Sequence, residues 1–172
     1  PDTVLNTLQA AGFEAWYVGG CVRDTLLGRP VHDWDVTTSA LPEQVIALFP
    51  KTVPTGLKHG TVTVLAQNQS VEVTTYRADG SYHDGRHPDG VRFVRSLRED
   101  TARRDFTVNA MVMAQDGRIV DYHGGRADLA AKVLRCVGEP EQRFREDVLR
   151  MLRACRFAAQ LGCSIEPETW AA

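Results

Sequence analysis

Tyr17-Val18-Gly19-Gly20-Cys21-Val22-Arg23-Asp24, with Asp33-Trp34-Asp35 a short way downstream, decides how this chain folds. Ala15-Trp16-Tyr17-Val18 reads as a short apolar strand. Gly19-Gly20 then turns the backbone into a helix that runs through Leu27 and stops at Gly28-Arg29-Pro30. Strand, glycine turn and helix suit a phosphate: glycine lets backbone N–H groups approach it, the helix N-terminus favours anions, and Arg23 adds fixed positive charge. Gly-Gly is equally compatible with a plain tight turn. Residues 33–38 read as extended, which puts Asp33 and Asp35 on one face of a strand about two residues' rise apart. Such a pair can share magnesium ions, and two metals about 3.5–4 Å apart can activate a hydroxyl and stabilise a leaving pyrophosphate. Two solvated acids at a strand end would show the same spacing.

Before this stretch, Asp2 is placed to cap a helix whose apolar positions Val4, Leu5, Leu8 and Ala11 recur at helical spacing, with Gly12 as its stop. After it, residues 42–49 read as a helix. Residues 59–66 and 70–76 read as two strands of a hairpin joined by Gln67-Asn68-Gln69. Residues 78–90 hold Gly80, Gly85, Pro88 and Gly90 among polar side chains, too irregular for either element and long enough for a mobile functional loop. Residues 103–110 lead into Met111-Val112-Met113, and Asp116-Gly117 is a hairpin turn before residues 118–121. Gly124-Gly125 precedes a short helix over 126–132, a strand over 133–137 and a final helix over 145–161. The expected fold is α+β: a mixed, mainly antiparallel sheet with flanking helices, then a helical segment.

The chain has 172 residues, 43% hydrophobic and 24% charged, enough for one full core and the start of a second unit. No window approaches the roughly 18 apolar residues of a membrane span, and the N-terminus lacks a signal-peptide pattern, so a cytoplasmic location and no membrane partner are expected. The four cysteines, Cys21, Cys136, Cys155 and Cys163, form no C-x-x-C pair, and reduced thiols follow. A net charge of −2 gives no overall basic field for gripping a long nucleic acid. The charges are nonetheless segregated, with Arg143, Arg150, Arg153 and Arg156 crowding the last quarter and acids gathering around residues 24–35. Starting at Pro1 and stopping just after Pro167, which can open a new helix, the sequence reads as a fragment.

Three further groups carry chemistry. Glu72, in Val71-Glu72-Val73-Thr74-Thr75-Tyr76, offers a third carboxylate, although strict alternation would simply turn it to solvent. Arg103-Arg104-Asp105-Phe106-Thr107-Val108-Asn109-Ala110 suits phosphate and ribose contacts, and a surface ion pair with a helix cap explains it as well. In the helix expected over 145–161, Asp147 and Arg150 share a face that Arg153 and Arg156 continue, while Val148, Leu149, Leu152 and Phe157 can face a core. An Asp–Arg pair offers the acceptor and donors that the Watson–Crick edge of a base requires, and a helical salt bridge is the alternative.

Taken in order, these motifs resemble the class II tRNA nucleotidyltransferases, the CCA-adding enzymes, together with the related bacterial poly(A) polymerases, all in the DNA polymerase beta superfamily. The resemblance rests on residues 19–24 with Leu27-Gly28, Asp33-Trp34-Asp35, residues 71–77, residues 103–110, Asp121 with Gly124-Gly125, and residues 146–150. It implies a catalytic nucleotidyltransferase head over residues 1–138 and the start of an all-helical neck over residues 139–172, with body and tail domains absent. It implies that Asp33 and Asp35 hold Mg2+, with Glu72 as a third carboxylate. Gly19, Gly20 and Arg23 would cradle the triphosphate, with Arg104, Asp105 and Asn109 near ribose and phosphates. Asp147 and Arg150 would read CTP and ATP, and Arg153 and Arg156 would meet phosphates. The implied reaction is template-independent addition of C and A to the 3′ end of tRNA. The loop around Arg77 to Pro88 favours full CCA addition or A addition, with an A-adding enzyme or poly(A) polymerase as the alternative, and an inactive nucleotide-binding module as a remote one.

Overall fold

A computed structural model of the chain describes residues 1–80 and 90–172. The elements run α1 (Asp2–Ala10), β1 (Ala15–Val18), α2 (Gly20–Leu26), β2 (Trp34–Thr38), α3 (Pro42–Leu48), β3 (Thr52–Gly56), β4 (Thr61–Ala66), β5 (Gln69–Thr75), β6 (Arg77–Asp79), β7 (Val91–Phe93) and α4 (Leu97–Ala102). They continue as β8 (Val112–Met113), β9 (Ile119–Val120), α5 (Gly125–Ala131), β10 (Val133–Leu134), α6 (Pro140–Glu146), α7 (Leu149–Leu161), β11 (Ser164–Ile165) and α8 (Pro167–Ala171). Among the described residues, seven strands form one sheet in the order β3-β4-β5-β2-β1-β8-β9. Only β2 and β5 pair in parallel within it, so the sheet is mixed and mainly antiparallel, as expected for this α+β chain.

Strand alternation sorts the side chains. Val36, Val62, Val64, Val71 and Val73 point to one face, where Val4, Leu5 and Leu8 of α1 and Val45 of α3 cover them. Each such buried Val or Leu contributes about 1.5–3 kcal/mol relative to exposure. Phe144, Ala154, Phe157 and Leu161 of α6 and α7 join the same core, so the C-terminal helices are packed onto the sheet domain rather than hung from it. A smaller cluster on the opposite face, Val18, Tyr76, Val94, Leu97 and Val112, seats α4. No helix of the described residues is long and apolar enough to cross a membrane.

Several local expectations are corrected. Asp2 is the first helical residue rather than a cap, and its carboxylate accepts from the Tyr17 hydroxyl at 2.5 Å. Strand β3 lies in a stretch for which the sequence reading names no element; it is an edge strand, where Pro54 is tolerated. Ala78 and Asp79, expected in the irregular stretch, belong to β6, which pairs with Val91–Phe93. Residues 81–89 of that stretch, including Arg86-His87-Pro88, lie outside the described residues. The single helix expected over 145–161 is two, α6 and α7, broken at Asp147, whose backbone is extended at φ −146° and ψ 105°. Its carboxylate accepts from the Leu149 N–H at 2.9 Å, the capping behaviour that makes Asp favour a helix start over a helix middle. The break turns Val148, Leu149 and Leu152 outward, at 53%, 37% and 68% exposure, and only Phe157 of the expected core quartet is buried. The C-terminal segment is helical except for β11, which pairs in parallel with β10.

Candidate active site

Asp35 in β2 lies directly opposite Glu72 in the neighbouring parallel strand. Residues opposed in this way project from the same face of strands about 4.8 Å apart. Glu72 does turn away from Val71 and Val73, as alternation requires, but the face it turns to is the one that carries Asp35. Solvent face and carboxylate face are therefore the same. Asp33 sits one residue before the ladder begins and is exposed; Trp34 between the two acids points the other way, with its ring 4.7 Å from that of Tyr17.

Burial, then the charge of Glu72, raises the pKa of Asp35 above the ordinary carboxylate range, with Asp33 adding to the rise and Arg104 opposing it. Carboxylates gathered on one face concentrate negative charge, which a cation relieves. Among the described residues no three His, Cys, Asp or Glu side chains form a ready ligand cage.

The glycine turn borders this face. Gly19 has φ 80° and ψ −135°, a conformation open in practice only to glycine, and a Cβ there would stand 3.6 Å from Arg104 Nη1. Its own N–H bonds to the Met111 carbonyl at 3.4 Å, so the donors left for a phosphate are those of the first turn of α2, which helix geometry leaves unpaired. Arg104 thus lies between the glycine turn and Asp35. Its Nε is buried with no hydrogen-bond partner among the described residues.

The other expected residues form a second, connected group. Arg23 is buried, makes two hydrogen bonds to Asp24 at 2.9 and 3.1 Å, and donates to Asn109 Oδ1 at 2.7 Å. It is a fixed member of a network rather than a free arm. Asn109 in turn donates to Asp105 at 3.4 Å, and Arg153 grips the other Asp105 oxygen through Nε at 2.8 Å and Nη2 at 2.7 Å. This chain of contacts ties α2 to α7. Arg23, Arg153 and the exposed Arg156 all stand over the Phe157 ring, at 5.2, 5.1 and 4.9 Å.

Asp147 and Arg150 do not share a helical face, because the helix breaks between them. Arg150 is buried; it pairs with Glu146 at 2.6 Å and donates to the carbonyls of Arg143 and Arg103 at 3.0 and 3.3 Å. A cavity of about 1590 Å³, lined in part by Asp79, Arg103, Arg143 and Glu146, lies beside this group.

Sequence reasoning missed Asp100 and Thr37, and read Arg103 only as part of the Arg-Arg-Asp segment. Thr37 donates to Asp100 at 2.8 Å and Arg103 pairs with the same carboxylate at 3.2 Å. The signal available was Ser96-Leu97-Arg98-Glu99, a helix-start pattern, and Ser96 does accept from the Glu99 N–H at 3.4 Å.

Comparison with known proteins gives a consistent set. A family model described as the poly A polymerase head domain matches residues 15–135. The CCA-adding enzyme of Lactiplantibacillus plantarum is 54% identical over 166 residues, covering 96% of this chain and 41% of that enzyme. The crystal structure of the Bacillus stearothermophilus CCA-adding enzyme in complex with CTP superposes with a TM-score of 0.89 at 51% identity, over 97% of this chain and 40% of that one. A tRNA nucleotidyltransferase complexed with a primer tRNA and an incoming ATP analog superposes at 0.78 and 32% identity, over 98% of this chain and 48% of that one. The chain spans about two fifths of the length of the curated relatives it matches.

Proposed function

This chain belongs to the poly(A) polymerase head-domain family, and from that premise we propose that the protein is a template-independent tRNA nucleotidyltransferase that adds C and A from CTP and ATP to the tRNA 3′ end. The observation that carries the proposal is the pairing of Asp35 with Glu72 beside Asp33, an acidic face bordered by a glycine turn and Arg104. In the reaction the tRNA 3′ hydroxyl oxygen bonds to the α-phosphorus, the bond to the bridging oxygen breaks, and pyrophosphate leaves. Asp33 and Asp35 would hold Mg2+, which when bound would supply positive charge beside the hydroxyl and the triphosphate. Glu72 contributes the third carboxylate, a hydrogen-bond acceptor for the attacking hydroxyl. Arg104 and the first-turn N–H groups of α2 hold the phosphates.

In this reading residues 1–138 are the catalytic head and residues 139–172 begin the neck. Asp147 and Arg150 select the base, with Arg150 fixed by Glu146 before the nucleotide arrives, so that protein groups take the place of a template. Asp105 and Asn109 border the ribose, and Arg153 and Arg156 the phosphates. The enzyme works in the cytoplasm, where the tRNA is. Full-length protein incubated separately with tRNAs ending before the first C, before the second C and before the A is expected to extend the first two with CTP alone and the third with ATP alone. Long A tracts on every RNA would identify a poly(A) polymerase instead, and extension of the third tRNA only would identify an A-adding enzyme.

A further inference from the structure

Asp100 has no solvent exposure, and its partners come from β2, from β6 and from the end of α4. Its Oδ2 accepts from Thr37 Oγ at 2.8 Å, two residues along β2 from Asp35 and on the same strand face. Its Oδ1 accepts from the backbone N–H of Arg77, the first residue of β6, at 3.1 Å and from Arg103 Nε at 3.2 Å. Arg104 Nη2 stands 3.7 Å from Oδ2. A carboxylate survives such burial only because donors replace its water, and here they come from three separate elements. Arg104 is otherwise weakly held among the described residues: its Nε is buried without a hydrogen-bond partner while the guanidinium lies along the Gly19 turn.

We propose that Asp100 is a positioning residue for nucleotidyl transfer: its carboxylate pins the Arg104 guanidinium between the Gly19 turn and Asp35. The proposal rests on the nucleotidyltransferase reading of the carboxylate face. A long, flexible arginine fixed before the substrate arrives needs no ordering and little reorganisation when charge develops on the phosphates. Thr37 orients the pinning oxygen, and the Arg77 N–H ties it to the start of β6.

The test is a double-mutant cycle in the full-length protein: Asp100→Asn, Arg104→Gln and the two together, with kcat and KM for CTP on tRNA lacking CCA, and Tm for each. Asp100→Asn is expected to lower kcat about 10- to 100-fold while the CTP KM stays within about 3-fold of wild type. In the Arg104→Gln background the same change is expected to lower kcat by less than about 2-fold, although Tm drops equally in both. An equal fractional loss of kcat in both backgrounds, or no loss in either, overturns the proposal. Should Asp100→Asn fail to fold, Thr37→Val, which removes the orienting hydroxyl alone, takes its place in the cycle with the same two outcomes. If the unmutated protein transfers no nucleotide, it is the functional reading that fails. The crystal structure of Asp100→Asn then decides the pinning: Arg104 displaced from Gly19 supports it, and Arg104 unmoved overturns it.

Discussion

Asp35 carries two opposed demands. Its folded pKa lies above the ordinary value because of burial and of Glu72, so the fold favours its protonated form. The stability this lends is full below the ordinary carboxylate range, near pH 4, and is lost as the pH rises through the raised value. The proposed reaction calls for the ionised form, and a bound cation would reconcile the two. Asp35→Asn, which cannot ionise, is therefore expected to raise Tm above wild type at pH 8, with the gap closing toward pH 4, and to reduce nucleotide addition on the order of 10³-fold. Added Mg2+ should raise the Tm of wild type and leave Asp35→Asn unmoved; thermal scans across pH, with and without the metal, check both. Asp100 is the converse case. Burial alone would raise it, but Arg103 and Arg104, helped by Thr37 and the Arg77 N–H, hold its carboxyl below the usual range. Asp35 faces a second acid with one arginine opposing it, Asp100 is held by two arginines, and Asp100 alone is fully buried. That contrast was half legible in the sequence. The two-residue spacing of Asp33 and Asp35 is a local property of any strand, whereas Asp100 sits in Arg98-Glu99-Asp100, which reads as an ordinary surface charge run until α4 is packed onto the sheet.

Elements hold the site through close approaches. Gly125 opens α5 so near the segment Thr107–Asn109 that a Cβ there would come within 2.0 Å of the Thr107 carbonyl oxygen, and Thr107 in turn donates to Asp128 of α5 at 2.6 Å. Asp121 caps the same helix, accepting from the N–H groups of Gly125 and Arg126 at 3.0 and 2.9 Å. Gly125→Ala must push α5 off the segment that bears Asp105 and Asn109. A cost of about 3 kcal/mol or more is expected, roughly 6–12 °C in Tm, and calorimetry measures it. The glycine turns and hairpins were readable because φ requirements and period-2 alternation are local. The break at Asp147 was not: apolar positions keep helical spacing across it, and a single capping carboxylate, satisfied by Leu149, overrides the periodicity. Its consequence is that Arg150 is presented by Glu146 and by the carbonyls of Arg103 and Arg143, and not by a shared face with Asp147. Arg150→Ala is expected to relax discrimination among the four nucleotides at least about 10-fold while the triphosphate KM changes by less than about 3-fold. Incorporation assays with each nucleotide separately measure it, and unchanged selectivity would remove Arg150 from base reading.

At the scale of the whole molecule, one apolar core runs from α1 and the sheet into α6 and α7, and one polar chain, Arg23 to Asn109 to Asp105 to Arg153, crosses the same junction. The carboxylate face and the group proposed to read the base are thereby held on one framework, as the proposed reaction would require. Order along the chain made this legible, with a glycine turn, paired acids, an Arg-Arg-Asp segment and a final Glu-Asp-x-x-Arg each at its place. Contacts between segments far apart in sequence, such as Arg153 with Asp105, left no mark that one sequence could reveal. The most direct test is single-turnover addition of CTP to tRNA lacking CCA by the full-length protein and by its Asp33→Ala variant, with circular dichroism confirming that both are folded. We expect the wild type to add cytidine and the folded variant to add none above background; cytidine addition by folded Asp33→Ala at the wild-type rate would contradict the assignment of Asp33 and Asp35 to the metal.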